Sequence, residues 1–499
     1  MNYDQTKSED SLLKRVFSAI LSVFKTIGLG IYNGFKKVGL AVINFFVRFG
    51  RRFKEGSIHT KISHFIMGYG NIARKQYIKG ALYLLLQIGF FAFMIFSPET
   101  NNTPMGYKAL GNLITLGTKE GDIFNPTDNS MLMLLFGVLT IGGIIIFLFS
   151  YNSNIKSSLL TDELIAKGNK PRNFKEDLKE LLDSKFHLTM LTPSIIAITI
   201  FTILPTIFMI LIAFTNYDNL HTPGQQLIDW VGLQNFTDVF TGRGEISLRF
   251  LPVLSWTLIW AFLATFTNYI IGIILALLIN NKLIKGKKMW RTIFILTIAI
   301  PQFISLLAVR NLLSELGPVN TFLVNMGILD EPMNFLGGAK NANTARVAVI
   351  IINLWVGVPY TMLMTSGILM NIPSDLYEAA DIDGASGRQK FFKITMPYII
   401  FITTPYIITS FVGNITSFNI IFLLTGGGPD VVVGAKAGGT DLLVTWLYKL
   451  TIDERMYNLG SVIGIFTFII TATGTLLAYR RSKAYKDEGA FQEWQKLAK

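Results

Sequence analysis

Asn353, Gly357 and Tyr360 recur at about one-turn spacing inside an otherwise apolar run, and Ser410 and Asn414 stand in a second such run. On a helix each set shares one face. An amide or hydroxyl in hydrocarbon needs a hydrogen-bond partner, so these side chains either tie helices together or line a path for a polar ligand. Neutral donors and acceptors beside an aromatic ring suit an uncharged, hydroxyl-rich molecule. The polar groups meet its hydroxyls, and the ring of Tyr360 or of nearby Trp355 covers its apolar face.

A second stretch carries a different kind of chemistry. Glu378-Ala379-Ala380-Asp381-Ile382-Asp383-Gly384 is followed shortly by Ile394-Thr395-Met396-Pro397, and the whole polar segment lies between two long apolar runs. It should protrude from a membrane as a helix, a turn and a second helix. Pro373 pre-sets φ, Ser374 is placed to cap free N–H groups, and Asp375 sits at the positive end of the helix dipole. Ala379 and Ala380 are small enough for close approach by a partner surface, and Gly384 permits a turn that a Cβ would hinder. Phe391, Phe392 and Ile394 form an apolar cluster, while Arg388, Lys390 and Lys393 offer charge to an acidic or phosphate-rich neighbour.

Other chemistries are weakly supported or excluded. The chain has no cysteine, which removes disulfides, thiolate metal sites and cysteine nucleophiles. His59, His64, His187 and His221 are scattered without metal-ligand spacing. Gly426-Gly427-Gly428 is followed by Pro429 where a nucleotide-binding loop needs Gly-Lys-Ser/Thr, so it reads as a turn. The net charge of +13 gathers in an N-terminal arm and in loops of one side, a pattern that points away from nucleic acid.

These residues must be positioned by membrane helices. With 499 residues, 51% hydrophobic and 15% charged, the chain is too apolar for one soluble core and reads as an all-α polytopic membrane protein. Runs able to cross about 30 Å of hydrocarbon predict about eight helices. They lie near 80–97, 131–151, 189–213, 252–280, 290–309, 346–370, 398–420 and 458–479. Acidic residues are nearly absent from them, which disfavours a proton-driven carrier. An ion-coupled transporter and a membrane enzyme remain the alternatives of other classes.

Lysine and arginine in the connectors set the orientation. Lys282, Lys285, Lys287, Lys288 and Arg291 follow the fourth run, and Arg480, Arg481 and Lys483 follow the eighth, so both regions should be cytoplasmic. Residues 97–130 hold Glu99, Glu120, Asp122 and Asp128 against Lys108 and Lys119, which suits the outside. With the N-terminus inside, residues 371–397 also face the cytoplasm. The predicted layout is a basic arm over 1–79, helices one to three with an external loop over 80–250, a core over 251–480 containing the 374–397 loop, and a cytoplasmic tail over 481–499. The first long apolar run begins only near Gly80, which argues against a signal peptide. In the arm, Lys14, Lys25, Lys36 and Arg48 recur about every eleven residues, close to three helical turns, and would line one face of a helix on an anionic lipid surface. Gly28, Gly30, Gly34 and Gly39 weaken that helix.

The Glu378 to Pro397 pattern resembles the EAA loop of binding-protein-dependent ABC importers, with Met396 where that family usually has leucine. Ala213-Phe214-Thr215-Asn216-Tyr217, Trp230-Val231-Gly232-Leu233-Gln234-Asn235-Phe236, Met289-Trp290-Arg291-Thr292, Ala299-Ile300-Pro301-Gln302 and Thr425-Gly426-Gly427-Gly428-Pro429 are similar to segments of MalF-type sugar permeases. Ile114-Thr115-Leu116-Gly117 and the arm look like the Gram-positive maltodextrin permeases. The resemblance implies a MetI-like permease core, maltose or maltodextrin as cargo, and galacto-oligosaccharides as the runner-up. Asn353, Gly357, Tyr360, Ser410 and Asn414 fall on positions that contact sugar in maltose permeases, together with Gln302, although Ile298 and Gln302 replace an expected tyrosine and serine. Glu378, Ala379, Ala380, Asp383, Gly384 and Pro397 fall on the ATPase-coupling loop. The partners so implied are a second, MalG-type permease subunit, two ATPase subunits that carry ATP and Mg, an extracellular sugar-binding lipoprotein and membrane lipid. No cofactor belongs to this chain. Residues 214–251 are too few for the large domain that Gram-negative relatives insert there, which favours a Gram-positive cell membrane.

Overall fold

The computed structural model describes residues 47–481 except 97–98, 101–102, 120–127, 223–224, 243, 282, 338–341 and 431–435, with isolated positions from 33 to 44. Lys14, Lys25, Glu120, Asp122, Lys282 and the tail beyond Arg481 therefore lie outside the described residues. Among the described residues, regular structure is helical apart from an antiparallel pair of short strands, β1 (Glu99–Thr100) and β2 (Thr103–Pro104).

Two short helices, α1 (Ile58–Ser63) and α2 (Tyr69–Ile72), precede α3 (Tyr77–Phe96) and, after the β-pair, α4 (Tyr107–Thr115). Then come α5 (Ser130–Ala166), α6 (Phe174–Leu182), α7 (Phe186–Ile212), α8 (Gln234–Phe240) and α9 (Glu245–Asn280). The rest of the chain forms α10 (Lys287–Ala299), α11 (Gln302–Leu312), α12 (Pro318–Asn325), α13 (Ala342–Met370), α14 (Ser374–Ile382), α15 (Gly387–Ile415), α16 (Asn419–Thr425), α17 (Leu443–Tyr448) and α18 (Tyr457–Arg481). Among the described residues, seven helices are long and apolar enough to cross a membrane, namely α3, α5, α7, α9, α13, α15 and α18. An eighth crossing exists if α10 and α11, bent by 92° at Ile300–Pro301, count as one broken span. Proline at 301 has no N–H to donate back, so the helix stops there and restarts.

Several expected span limits move: α9 starts at Glu245 instead of 252, α15 at Gly387 instead of 398, and the fifth run is two helices. α5 continues far past 151, because its polar residues from Asn152 to Asp162 find hydrogen-bond partners beside it in α1, α2 and their flanks. The seventh crossing ends at Ile415 instead of 420, since Thr416 and Ser417 interrupt it and α16 starts afresh at Asn419.

The chain divides into two compact units, Met1–Ile114 with Leu132–Phe201, and Thr115–Met131 with Thr202–Lys499. In the first, α3 and α5 pack antiparallel through Phe90 stacked on Phe147 at 4.0 Å and Tyr83 Oη within 2.9 Å of Ser153 Oγ. In the second, α9 lies along α13 and against α15. Lipid gives helices no hydrophobic reason to associate, so close packing of small residues must supply the attraction. Gly272 does this on α9: a Cβ there would come within 2.5 Å of Thr361 Cβ on α13. Trp256, Trp260, Ala264, Val349, Ile352 and Ile421 fill the layer above it.

The glycine-rich loop after α16 is pinned rather than open. Gly426 and Gly427 adopt left-handed φ of 59° and 84°. A Cβ on Gly427 would lie 1.8 Å from the buried Asp441 carboxylate, a neighbour that would repel phosphate. Asp441 also accepts from Gly438 N and Lys449 Nζ, both at 2.7 Å. Arg249 Nη2 donates to Gly438 O at 3.0 Å and Arg346 Nε to Gly439 O at 2.8 Å, so α9 and α13 both grip the returning strand of this loop.

Candidate functional site

The α9–α13–α15 layer brings most of the polar set together. Asn353 on α13 is only 3% exposed, and its Nδ2 has no hydrogen-bond partner. On α9, Asn268 Oδ1 is also buried without one. One turn beyond Asn353, Gly357 makes room for that second amide: a Cβ at 357 would sit 2.2 Å from Asn268 Nδ2. The protein thus leaves one donor and one acceptor open about one helical turn apart, on facing helices. Unmet buried polar groups are each unfavourable by about 1–3 kcal/mol, which water or a ligand relieves.

Tyr360 continues the same face and is 54% exposed, its ring 5.6 Å from that of Tyr406 on α15 and tilted by 30°. Thr361 Oγ1 lies 3.2 Å from Tyr406 Oη, which holds the second ring beside α13. Asn414 donates from Nδ2 to the buried Thr265 Oγ1 at 2.9 Å, an interhelical bond that fixes its amide and leaves Oδ1 as an acceptor. Ser410, one turn earlier, is half-buried. Gln302 opens α11 just past the break, and among the described residues no hydrogen bond ties it to Asn353, Asn268 or Asn414. Asn268, Thr265 and Tyr406 escaped the sequence reading. The signal was available for Asn268, an amide in the middle of an apolar run like Asn353 itself.

The 374–397 segment forms a helix, a turn and a return into α15. Its local chemistry differs from expectation at one residue. Pro373 occupies the cap position of α14, and Ser374 Oγ turns to Asp375 Oδ1 at 3.3 Å instead of capping. Proline in the cap directs the chain away from Met370 before the helix starts. Gly384 takes φ of 71°, and Ala385 N closes the turn on Ala380 O at 2.8 Å. Lys390 pairs with Asp381, Tyr377 Oη meets Thr395 Oγ1 at 2.8 Å, and Ser386 caps the start of α15 with Gln389. These contacts brace the loop from inside. Glu378, Ala379, Asp383, Gly384 and Pro397 are exposed, Ala380 is half-buried, and Ile382 is 87% exposed with Leu376 and Phe392 also open. The result is a rigid, partly apolar knob with acidic residues around it.

A helical core broken at one span, amides facing across closely packed helices, and a braced knob between two spans are the parts of a membrane transport permease. The family model for the inner membrane component of binding-protein-dependent transport systems matches residues 268–483. The chain belongs to that family. It is 36% identical to the maltodextrin transport system permease protein MalC of Streptococcus pneumoniae, over 85% of this chain and 95% of the relative. It is equally 36% identical to the galactooligosaccharides transport system permease protein GanP of Bacillus subtilis, over 85% of this chain and 97% of the relative. The maltose/maltodextrin permease MalF of Escherichia coli matches at 38% over 49% of this chain and 47% of its own length. Among solved structures, a chain of a bacterial alginate ABC transporter bound to its alginate pentasaccharide-loaded periplasmic protein superposes with a TM-score of 0.50 at 25% identity, over 62% of this chain and 97% of that one.

Proposed function

We propose that this chain is one of two permease subunits of an ATP-driven importer for maltodextrin-type oligosaccharides. The observation that carries the reading is the open pair, Asn353 Nδ2 and Asn268 Oδ1, beside the Tyr360–Tyr406 rings. Sugar hydroxyls can take both the donor and the acceptor, and a pyranose ring can lie on the aromatic pair. Ser410 and Asn414 extend the polar face, and Gln302 reaches it when the broken span shifts. No group in this set carries charge, which suits a neutral glucan.

The energy comes from elsewhere. ATP and Mg bind two partner ATPase subunits, and Glu378, Ala379, Ala380, Asp383, Gly384 and Pro397 present the knob to one of them. When the ATPases close, the braced knob moves as a unit, and α13 and α15, to which it is directly joined, change which end of the sugar path is open. A second permease of MalG type completes the path, and an extracellular binding lipoprotein delivers the sugar. In this arrangement both termini and the knob are cytoplasmic, in the cell membrane of a Gram-positive bacterium.

Uptake of a panel of labelled oligosaccharides, in a strain deleted for this chain and then complemented, tests the proposal. Saturable maltodextrin uptake that vanishes on deletion supports it. Uptake of galacto-oligosaccharides instead would hand the cargo to the second reading, which the equal identity to GanP favours. Uptake that persists without any ATPase would refute the mechanism.

A further inference from the structure

The first unit holds a polar arrangement that the transport reading does not use. From Ser57 to Gln76 the chain makes a hairpin of α1, a turn at 64–68 and α2, packed between α3 and the extension of α5. Its contacts descend α5 in order. Thr60 Oγ1 donates to Asp162 at 2.6 Å and meets Ser158 at 2.7 Å, and Asn154 Nδ2 donates to Ser63 O at 3.1 Å. From Asp162 to Asn154 is about 12 Å of helix at 1.5 Å per residue. The returning limb climbs the same face: Asn71 Nδ2 donates to Ser157 at 3.0 Å, and Arg74, its side chain 4% exposed, binds Ser158 and pairs with Asp162.

The turn is reached by side chains of both α3 and α5. Gln87 on α3 donates from Nε2 to Phe65 O at 2.8 Å and accepts from Met67 N at 2.7 Å. Asn154 accepts from Gly68 N at 2.9 Å. Gly68 lies so close to α3 that a Cβ would be 2.0 Å from Gly80 O. Gln87 is about 15 Å along α3 from Tyr77, and α3 has only 20 residues with which to cross the membrane. An amide at that depth is unfavourable unless it is used. Non-helical backbone within a bilayer is tolerated only where protein groups satisfy it, and here Gln87 and Asn154 satisfy the turn. Meanwhile Phe65 and Ile66 at its tip are 69% and 47% exposed, and Leu82, Leu85 and Ile88 of α3 are exposed as well. Arg51 and Lys54 are exposed on the stretch whose Phe53 ring lies 6.4 Å from that of Phe65, Lys156 is exposed two residues from Asn154, and Lys75 is exposed beside Gln76 at the open end.

We propose that Ser57–Gln76 is a re-entrant hairpin whose Phe65–Ile66 tip inserts into the acyl layer of the leaflet at which α3 enters, with these cations on that leaflet's phosphate headgroups. The tip anchors in lipid, and the buried Arg74–Asp162 pair locks the limbs to α5. The hairpin is thus an interaction surface for the membrane itself, built where the sequence shows only a basic arm.

Since the chain has no cysteine, single cysteines report alone. Nitroxide labels at Phe65→Cys and Ile66→Cys, in the full-length chain assembled with its transporter in lipid nanodiscs, are compared with Leu85→Cys as the lipid reference and Lys54→Cys as the water reference. Collision with oxygen and with a water-soluble nickel chelate is measured by power saturation. Both tip labels should match Leu85, with nickel collision several-fold below that at Lys54. Nickel access equal to Lys54 overturns the proposal. Exclusion of both reagents also overturns it, because a protein partner would then cover the tip. The readout is depth, independent of cargo and of which face is cytoplasmic.

Discussion

Replacing Gly357 with alanine tests the central geometry. The added Cβ would stand 2.2 Å from Asn268 Nδ2, where 3.4 Å is the start of ordinary contact, so the amide must retreat by roughly 1 Å or leave its rotamer. Leaving the rotamer is unfavourable by about 0.5–1.5 kcal/mol, and losing one neutral hydrogen bond to the cargo by a similar amount. The sum of roughly 1–3 kcal/mol corresponds to an about 5- to 150-fold rise in the half-saturation concentration for uptake. Asn268→Ala alone removes only the hydrogen bond, an about 2- to 13-fold effect. In the double variant the alanine Cβ no longer meets an amide, so uptake should return to that of Asn268→Ala alone. The measurement is initial-rate uptake of labelled maltodextrin, with membrane levels of the chain checked by immunoblot. Losses that add in the double variant would mean that the two positions act independently, and the reasoning would be refuted.

Three further outcomes are expected. Asn353→Ala and Tyr360→Ala should lower uptake by about tenfold or more while leaving co-purification with the partner subunits intact; unchanged uptake kinetics would remove both from the path. At the knob, Glu378→Lys, Ile382→Asp and Gly384→Val should leave membrane insertion normal but abolish ATPase association. Gly384→Val additionally strains a left-handed position by about 1–2 kcal/mol, and normal pull-down of the ATPase by all three variants would sink the docking assignment. Asp162→Asn weakens the ion pair that holds a nearly buried Arg74 and should lower the thermal midpoint of the purified chain, read by differential scanning fluorimetry, whereas Lys156→Gln on the exposed side of the same helix should not.

Much of the permease was legible along the chain because lipid imposes simple rules. A span must be apolar for about 20 residues whatever it packs against, so each expected crossing has a counterpart, the fifth as two helices bent by 92° at Ile300–Pro301. The knob was legible for a related reason: a polar segment between spans must lie outside hydrocarbon, and Gly384 needs its positive φ locally. The failures fall where one helix depends on another. Ser374 is a capping residue by type, but the neighbouring proline takes the position. The length of α5 is not legible in its own run because its polar residues are stabilised by the hairpin beside them.

By itself, the order of residues determined that this is an all-helical membrane permease, about where its spans lie, and which polar segment stands between two of them. Those are properties of single segments against a fixed solvent, and composition and spacing suffice for them. Only the tertiary structure decided that Gly357 exists to admit Asn268, that Asn414 spends its donor on Thr265, and that Gln87 and Asn154 serve a turn far away in the chain. Each depends on which helix faces which. In lipid that choice rests on small-residue fit and a few hydrogen bonds of about 1 kcal/mol, and no single segment records it.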